Sequence, residues 1–568
     1  MNMNNRRFWA VLVTMLVPAF VLFAIQYQYE DREAPIEEKI YNVATLEDEF
    51  ADNKVVVVLN KEASMNFKTY TPEDFPEAFI SRVDDSTRLT MELVRKQLEA
   101  AKTGDWGELK SHIENNMLVD IGNFRRILDL TLRYPGKENV LMTIEHLSNR
   151  EDVLSVEPDY LMSIMGPPSP VPIYYHSDPS AKTPHVGQKT AFDQINLEDA
   201  WDIATGSASV MVGVMDTGID ASHPALSNRI NTSLHRDFSN GIQSGLPNNN
   251  ALVDTNAHGT IVAGIIGANG KHPTTGAPTG IIGVNQNVTL VSLKVMNGTN
   301  FWDAVRWAID FATSNAIPIL NFSGGGPQNI NAVRTSIVNY PGLLVVPAGN
   351  TGVNIDNIQT YPASFKLNNI ISVGGTKTGI NLRAAATDWP GFSGSSFGLN
   401  TVSLFAPGTG LVSTYPTHLT SPSGTPGYWT NTYATSYSTP FVTGVAALIR
   451  SQSNRLDNNS IKKIIMNNVT NAPSLSSDCV SGGVVNAEAA LNFTINSWIP
   501  CEWNCRQDCV QQCKDDCFES IVQDPTCLLN PGLCQIRYGE CLAYCDSSYM
   551  MDLCVILPVF QHCRNGCS

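Results

Sequence analysis

Residues 210–218 read VMVGVMDTG, an apolar run that ends in an aspartate and a Thr-Gly pair. An apolar run of strand length without polar alternation is typical of a strand covered on both faces, as in a parallel sheet. Residues 303–315 lie between two such runs and have helical periodicity. From about residue 190 onward, this alternation predicts an α/β fold with a mostly parallel sheet covered by helices. The other runs are LVSLKVM at 290–296, IPILNFS at 317–323, LLVVPAGN at 343–350 and IISVGG at 370–375.

Three of these runs end near a polar residue. Asp216 follows the first run, Ser323 ends the run at 317–323, and Asn350 ends the run at 343–350. Ligands of open parallel sheets bind at the carboxyl ends of the strands. We therefore expect these side chains to contribute to one site.

A serine and a histidine are candidates for the same site. Ser436 precedes an apolar helical run within residues 431–450, NTYATSYSTPFVTGVAALIR, and His258 opens a run of small residues. Taken singly, a serine before a helix is usually a cap, and a lone histidine usually lies in the core or on the surface. A lone aspartate such as Asp216 usually belongs to a turn. Taken together they have another use, because a serine hydroxyl becomes a nucleophile when a base oriented by a carboxylate takes its proton.

The motifs around these residues resemble those of the subtilisin-like serine proteases, the subtilases, in the family's order Asp, His, Ser. The resemblance covers roughly residues 190–495 and implies a catalytic domain with a subtilisin-like fold at 190–497. It also implies a serine endopeptidase that cleaves proteins or peptides through an acyl-enzyme. The motifs are DTGID at 216–220, HGTIVAG at 258–264 and TSYSTPFVTG at 435–444.

The resemblance assigns a role to each reacting residue. Asp216 orients His258, and His258 takes the proton of Ser436 and passes it to the leaving amine. Ser436 attacks the scissile carbonyl. The side chain of Asn350 and the backbone N–H of Ser436 stabilise the oxyanion, and the chemistry requires no cofactor.

Substrate and calcium binding are also judged against the family. Ser323, Gly324 and Gly325 resemble the strand that pairs with extended substrate, and the glycines suggest an open cleft with an apolar or broad substrate preference.

Ala225 stands where a calcium-binding aspartate often occurs in the family, and residues 276–284 lack the usual Asn-rich loop. The family's tight calcium site is therefore expected to be lost, and a different calcium site stays open.

Three positions depart from the family pattern. Ala434 replaces a glycine, Tyr437 replaces the usual Met or Ala after the nucleophile, and Ile261 replaces a frequent histidine. None of these changes removes a reacting group. The added bulk at Ala434 and Tyr437 is expected to lower turnover or to narrow the accepted side chain.

The region before the catalytic domain has a small α+β pattern at residues 50–165, with KVVVVLN at 54–60 and VLSVEPDY at 153–160. It resembles a subtilase propeptide, which implies an intramolecular inhibitor and chaperone. A Pro-rich linker at 166–189 follows and is the expected processing site. We therefore expect a zymogen.

The N terminus indicates export from the cytosol. The apolar stretch 8–25 follows two arginines and precedes acidic residues, so residues 1–30 form either a signal peptide or a signal anchor. A secretory-pathway, extracellular or cell-surface location and transient membrane anchoring follow from either alternative. Seven glycosylation sequons agree with this route; they begin at Asn231, Asn287, Asn297, Asn321, Asn458, Asn468 and Asn492. Asn321 is expected to stay unmodified because it lies beside the substrate strand.

The C-terminal residues 498–568 hold 12 of the 13 cysteines, and the other is Cys479. In an exported chain this density predicts a disulfide-rich helical tail, because five of the cysteines recur every four residues. Zinc is the rival interpretation. Cys479 either pairs with the tail or stays free.

The net charge of −16 argues against nucleic acid as a partner, because such binding depends on Lys and Arg. Two further functions stay open beside the protease. One is a catalytically weak or inactive subtilase-like protein that binds partners through its Cys-rich tail, and the other is an adhesive Cys-rich module.

Overall fold

The computed structural model describes residues 44–164, 186–240, 249–271, 278–297, 302–421, 426–453 and 456–495. The apolar stretch 8–25, the linker up to residue 185 and the Cys-rich tail lie outside these ranges. No helix within them is long and apolar enough to cross a bilayer. Cys479 is fully buried, and this burial raises the pKa of its thiol.

An antiparallel sheet forms near the N terminus. It consists of β1 (Phe50–Leu59), β2 (Ile80–Asp85), β3 (Ile127–Leu132) and β4 (Val153–Tyr160), in the order β2-β3-β1-β4. The helices of this region are α1 (Lys61–Met65), α2 (Arg88–Thr103), α3 (Lys110–Glu114) and α4 (Lys137–Ser148). The short strand β5 (Ser163–Ile164) follows. Residues 44–96 and 108–164 are called the N-terminal module below.

The main sheet has nine strands within the described ranges. In spatial order its strands are β18-β19-β15-β14-β13-β11-β6-β10-β7, and all neighbours are parallel except β18 and β19. The strands are β6 (Met211–Asp216), β7 (Arg236–Asp237), β10 (Thr289–Lys294), β11 (Ile319–Phe322), β13 (Leu343–Pro347), β14 (Ile370–Thr376), β15 (Leu404–Pro407), β18 (Thr470–Asn471) and β19 (Gly483–Val484).

Helices flank this sheet, and short two-stranded ladders lie outside it. The helices are α5 (Val186–Gln194), α6 (Leu197–Ile203), α7 (His258–Gly267), α8 (Trp302–Ser314), α9 (Asn331–Asn339), α10 (Thr435–Gln452), α11 (Asn458–Asn467) and α12 (Ala487–Phe493). The ladder strands are β8 (Asn269–Lys271), β9 (Pro278–Ile282), β12 (Gly324–Gly325), β16 (Leu411–Thr414) and β17 (Tyr428–Thr432).

The apolar runs of the sequence form the centre of the main sheet, as predicted. They become β6, β10, β11, β13 and β14, and the helical segment at 303–315 becomes α8. Their side chains are buried because helices cover the sheet; Val212, Leu320 and Val345 have no exposed surface. The prediction of an α/β fold with a mostly parallel, helix-covered sheet is confirmed.

The described parts of residues 44–96 and 108–491 belong to one compact unit, and residues 97–107 and 492–495 belong to a second. Within the first unit, α8 and α9 pack against each other and against the N-terminal sheet. Helices α7 and α10 also pack against each other. Because β6, β11 and β13 are neighbours, their carboxyl ends meet at one edge of the main sheet, where Asp216, Ser323 and Asn350 lie.

Candidate active site

A buried aspartate and histidine form the centre of the site. Asp216 is the last residue of β6, and its Oδ1 lies 2.7 Å from Nδ1 of His258, the first residue of α7. Both side chains are almost completely buried. Since a carboxylate can only accept, His258 Nδ1–H donates, and Nε2 of the neutral imidazole is then the basic nitrogen. Nε2 has no hydrogen-bond partner among the described residues.

The start of α7 is held by Asp254, a residue that the sequence analysis missed. Its carboxylate accepts the backbone N–H groups of Ala257 and Thr260, each at 2.9 Å. It also accepts the hydroxyls of Thr260 at 2.7 Å and Thr217 at 2.9 Å. Burial raises the pKa of Asp254. The preference of aspartate for positions just before a helix could have identified it, and its contacts tie His258 to the segment after β6.

Gly259 allows α7 to approach β6 closely. A Cβ at this position would lie 2.1 Å from the backbone oxygen of Gly218 and 3.1 Å from Cβ of Asp216. No side chain can be accommodated at that separation from backbone. The glycine after His258 is therefore required for the contact between Asp216 and His258.

Ser436 lies in the first turn of α10 and is fully buried. Its Oγ is 3.5 Å from the backbone oxygen of Ser323, and Ser323 Oγ donates to the backbone oxygen of Ser436 at 3.0 Å. Ser436 and His258 Nε2 form no hydrogen bond in this state, although such bonds often tighten only with substrate. Ala434 caps α10 with φ 161°, an extended conformation that any residue adopts. The added methyl group of Ala434 therefore causes no backbone strain.

Asn350 is oriented by Thr435, the residue before Ser436. Asn350 Oδ1 accepts the backbone N–H of Thr435 at 2.9 Å and the Thr435 hydroxyl at 2.7 Å. Because Oδ1 serves these two donors, the Nδ2 group lies on the other side of the amide. The turn into α10 thus sets the position of Ser436 and the orientation of Asn350 together.

The N-terminal module reaches this edge of the sheet through β5. Strand β5 pairs antiparallel with β12, so that Ile164 faces Gly324 and Ser163 faces Gly325. Ser163 Oγ also donates to the backbone oxygen of Gly325 at 3.1 Å. The described end of the module therefore runs along Gly324 and Gly325 as an added strand.

The glycine at 324 is explained by packing behind the strand. A Cβ at Gly324 would lie 2.3 Å from Cε of Met296 and 2.9 Å from Cζ of Phe322. Met296 and Phe322 occupy the space that a side chain would need. Packing in the core therefore requires a glycine at position 324, and this requirement does not depend on how open the substrate cleft is.

Tyr437 packs against the imidazole of His258. The two ring centroids are 5.2 Å apart with an angle of 40° between the planes, and Tyr437 is 1% exposed. Burial raises the pKa of its hydroxyl. The residue after Ser436 thus fills the space beside His258, which places the start of α10 next to the imidazole.

Replacing Tyr437 by alanine is expected to lower the free energy of unfolding by about 3–5 kcal/mol, because it leaves a cavity in a fully packed site. Denaturant unfolding in a Ser436→Ala background measures this loss without autolysis. Tyr437→Phe keeps the ring and serves as the matched control, with little loss. A Tyr437→Ala variant as stable as the control would mean that the ring does not support the site.

The residues near Ala225 do not fit a tight calcium site. Ala225 is fully buried and offers no oxygen from its side chain. The carboxylate of Asp220 is already occupied, since Oδ1 accepts from Ser222 and Oδ2 accepts from Thr417. The described ranges contain no group of three or more His, Cys, Asp or Glu side chains that could hold a metal ion.

Asn321 is inaccessible to a glycosyltransferase in this fold. Its side chain is fully buried, donates to Ser323 Oγ at 3.0 Å and accepts from Thr443 Oγ1 at 2.8 Å. This burial supports the expectation that its sequon is not used.

The chain is similar to known subtilases. A model of the subtilase family matches residues 207–483. Subtilisin DY from Bacillus licheniformis is 33% identical over 289 residues, which are 50% of this chain and 91% of that protein. Thermitase from Thermoactinomyces vulgaris is 30% identical over 275 residues, 47% of this chain and 83% of that protein. The alkaline protease of Alkalihalobacillus alcalophilus is 29% identical over 392 residues, 67% of this chain and 87% of that protein.

A solved structure supports the fold. The crystal structure of fervidolysin from Fervidobacterium pennivorans, a keratinolytic enzyme related to subtilisin, superposes with a TM-score of 0.53 at 20% identity. The match covers 81% of this chain and 64% of fervidolysin. The similarity to subtilisin DY, at 33% identity over 91% of that protein, shows the family. This chain belongs to the subtilase family of serine endopeptidases.

Proposed function

We propose that this subtilase hydrolyses peptide bonds with Asp216, His258 and Ser436 as its catalytic triad. The observation that carries the proposal is the buried contact of 2.7 Å between Asp216 Oδ1 and His258 Nδ1 beside the start of α10. This contact leaves Nε2 as the nitrogen that takes the Ser436 proton. Asp216 then stabilises the imidazolium that forms.

The remaining steps follow from the positions of the neighbouring groups. Ser436 Oγ attacks the substrate carbonyl, and the negative charge that develops on its oxygen is met by Asn350 Nδ2 and the Ser436 N–H. His258 returns its proton to the departing amine, and water then hydrolyses the acyl-enzyme by the same sequence. Ser323, Gly324 and Gly325 bind the substrate backbone as an added strand. No step needs a metal ion.

We further propose that residues 50–165 are the propeptide of a zymogen. Three contacts of the module support this. Strand β5 occupies the strand position beside β12. Glu157 accepts the backbone N–H groups at the start of α9, from Asn331 at 3.0 Å and from Ala332 at 2.5 Å. Asn339 at the end of α9 exchanges hydrogen bonds with the backbone of Arg125.

These contacts define how the module would inhibit the enzyme. A strand beside β12 excludes substrate from the same backbone groups, and the interface with α9 holds it there. The 392-residue similarity to the alkaline protease extends beyond the family match at 207–483, which agrees with a relative that shares more than the catalytic domain. Export, cleavage in the linker and a disulfide-stabilised tail complete the proposed maturation.

Labelling by a fluorophosphonate probe tests the proposed function. The processed protein is expected to form one covalent adduct per chain at Ser436, since the probe reacts with a serine activated by its histidine. The Ser436→Ala variant should stay unlabelled. Processed protein that folds and yet takes no label would favour the inactive binding protein instead.

A further inference from the structure

Five charged side chains are buried between the N-terminal module and α8. Lys54 on β1, Asp129 on β3 and Asp159 on β4 come from the module, and Asp303 and Arg306 come from α8. Four of them are nearly or fully buried, and the Lys54 side chain is 19% exposed. These five residues are called the charge cluster below.

Each cation of the charge cluster joins two carboxylates. Arg306 bonds to Asp129, and its Nη1 lies 3.5 Å from Asp159 Oδ1. Lys54 Nζ bonds to Asp303 and lies 3.7 Å from Asp159 Oδ2. Asp159 therefore sits between both cations at longer distances than the other two carboxylates.

The charge cluster does not balance when all its members are ionised. Three carboxylates face two cations, which leaves one negative charge in a buried interface. An uncompensated buried charge is costly, so such a group takes up a proton instead. One proton neutralises the cluster.

The surroundings indicate which carboxyl holds this proton. Asp129 accepts from Trp307 Nε1 at 3.1 Å and from Ser86, in addition to Arg306. Asp159 Oδ2 has no hydrogen-bond partner among the described residues. Burial, aided by Asp303, raises the pKa of Asp159 to about 8 against the opposing effect of Arg306 and Lys54. Asp159 is therefore the protonated member.

We propose that the proton on Asp159 controls release of the N-terminal module, so that the module stays bound in acid and dissociates as the pH rises. This inference rests on the proposed function of the module as a propeptide. The charged groups that face Asp159 are Lys54 from β1, Asp129 from β3, and Asp303 and Arg306 from α8. All of them become solvated when the module leaves.

The direction of the pH dependence follows from linkage. Once the module is released, Asp159 has an ordinary pKa of about 4, whereas in the complex its pKa is raised. A raised carboxyl pKa stabilises the complex fully below the free value, and this stabilisation is lost as the pH rises towards the bound value. Between about pH 4 and 8 the affinity then falls by up to about tenfold per pH unit from this one proton.

A second interface carboxyl acts in the same direction. Asp310 of α8 accepts the backbone N–H groups of Leu89 at 3.1 Å and Thr90 at 2.7 Å. Burial raises the pKa of Asp310 to about 7. It adds to the slope and does not belong to the charge cluster, so variants of the cluster should remove only one proton.

The test uses the full chain with Ser436→Ala and a recognition site for an unrelated protease inserted in the linker. External cleavage produces the complex without the chain's own activity, and sedimentation gives the dissociation constant of the module from about pH 4 to 9. The constant is expected to rise with pH. Asp159→Asn should reduce the slope by about one proton, which is up to about tenfold per pH unit.

Two further variants keep the result interpretable. Asp303→Asn leaves two carboxylates for two cations, so it should also reduce the slope by about one proton. Glu157→Gln lies outside the cluster and should weaken binding while keeping the fall in affinity that the Asp159 proton causes. In the uncut chain, the infrared carboxylic-acid band near neutral pH, to which Asp310 also contributes, should lose intensity with Asp159→Asn and keep it with Glu157→Gln.

A slope unchanged by both Asp159→Asn and Asp303→Asn would overturn the proposal, as would an infrared band whose intensity Asp159→Asn leaves unchanged. Fluorophosphonate labelling tests the proposed function separately, because the binding and infrared measurements do not need an active enzyme. A module that binds with the expected pH dependence in an enzyme without activity would refute the protease mechanism alone.

Discussion

The Ser436→Ala variant is expected to accumulate as an uncut precursor, whereas the unaltered chain is expected to cleave itself in the linker at 166–189. The pairing of Ser163 and Ile164 with β12 supports this position, because it lays the chain along the proposed substrate strand just before the linker. The nearest susceptible bond is then supplied by the same molecule, so cleavage should not depend on protein concentration.

Alanine is a suitable replacement because it removes the nucleophile without adding bulk to a fully buried position. Turnover on an added peptide should fall by about 10⁶-fold, the magnitude known for loss of this serine in subtilisin itself and taken over from that relative. The measurement is the size and N-terminal sequence of both forms, expressed in a host without other processing proteases. Ser438→Ala, two residues along α10, is the matched control and should be processed normally.

Cleavage of the Ser436→Ala chain at the same bond and rate would assign maturation to another protease. The zymogen proposal would then lose its self-processing step. The proposed inhibition of the enzyme by β5 would still be open to the binding measurements on the cut complex.

Replacing Asn350 by alanine is expected to lower kcat by about 10²–10³-fold with little change in KM. This magnitude is also that of subtilisin, in which loss of one oxyanion donor was measured. The physical reason is that Asn350 Nδ2 meets charge that develops only in the transition state. Steady-state kinetics on a peptide substrate, after propeptide removal, separates kcat from KM.

Thr435 offers a graded control for this prediction. Its hydroxyl and backbone N–H both hold Asn350 Oδ1, at 2.7 and 2.9 Å, and Thr435→Val removes only the hydroxyl. The valine variant should therefore lose less turnover than Asn350→Ala. If Asn350→Ala kept turnover within tenfold of the unaltered enzyme, Asn350 would not be an oxyanion donor.

The sequence by itself determined the architecture of the main sheet and the residues that lie at the carboxyl ends of its strands. Buried parallel strands require continuous apolar runs, and such runs are visible without a structure because both faces of the strand are covered. The motifs that contain Asp216, His258 and Ser436 were likewise visible, because each is a short stretch of sequence. The segment at 303–315 was recognisable as a helix by its helical periodicity.

Only the tertiary structure decided which groups these residues contact. Asp254 precedes α7 and Thr435 opens α10, so the sequence can mark them as helix starts. Their bonds to Thr217 and Asn350 span 37 and 85 positions, and only the fold shows that they support His258 and Asn350. The sequence marks Ala434 as an added methyl group before Thr435, and only the structure shows that the extended backbone there accommodates it. The charge cluster was equally invisible, because β1, β3, β4 and α8 bring its members together across up to 252 positions of sequence, from Lys54 to Arg306. A buried carboxyl changes its protonation through neighbours that only folding supplies.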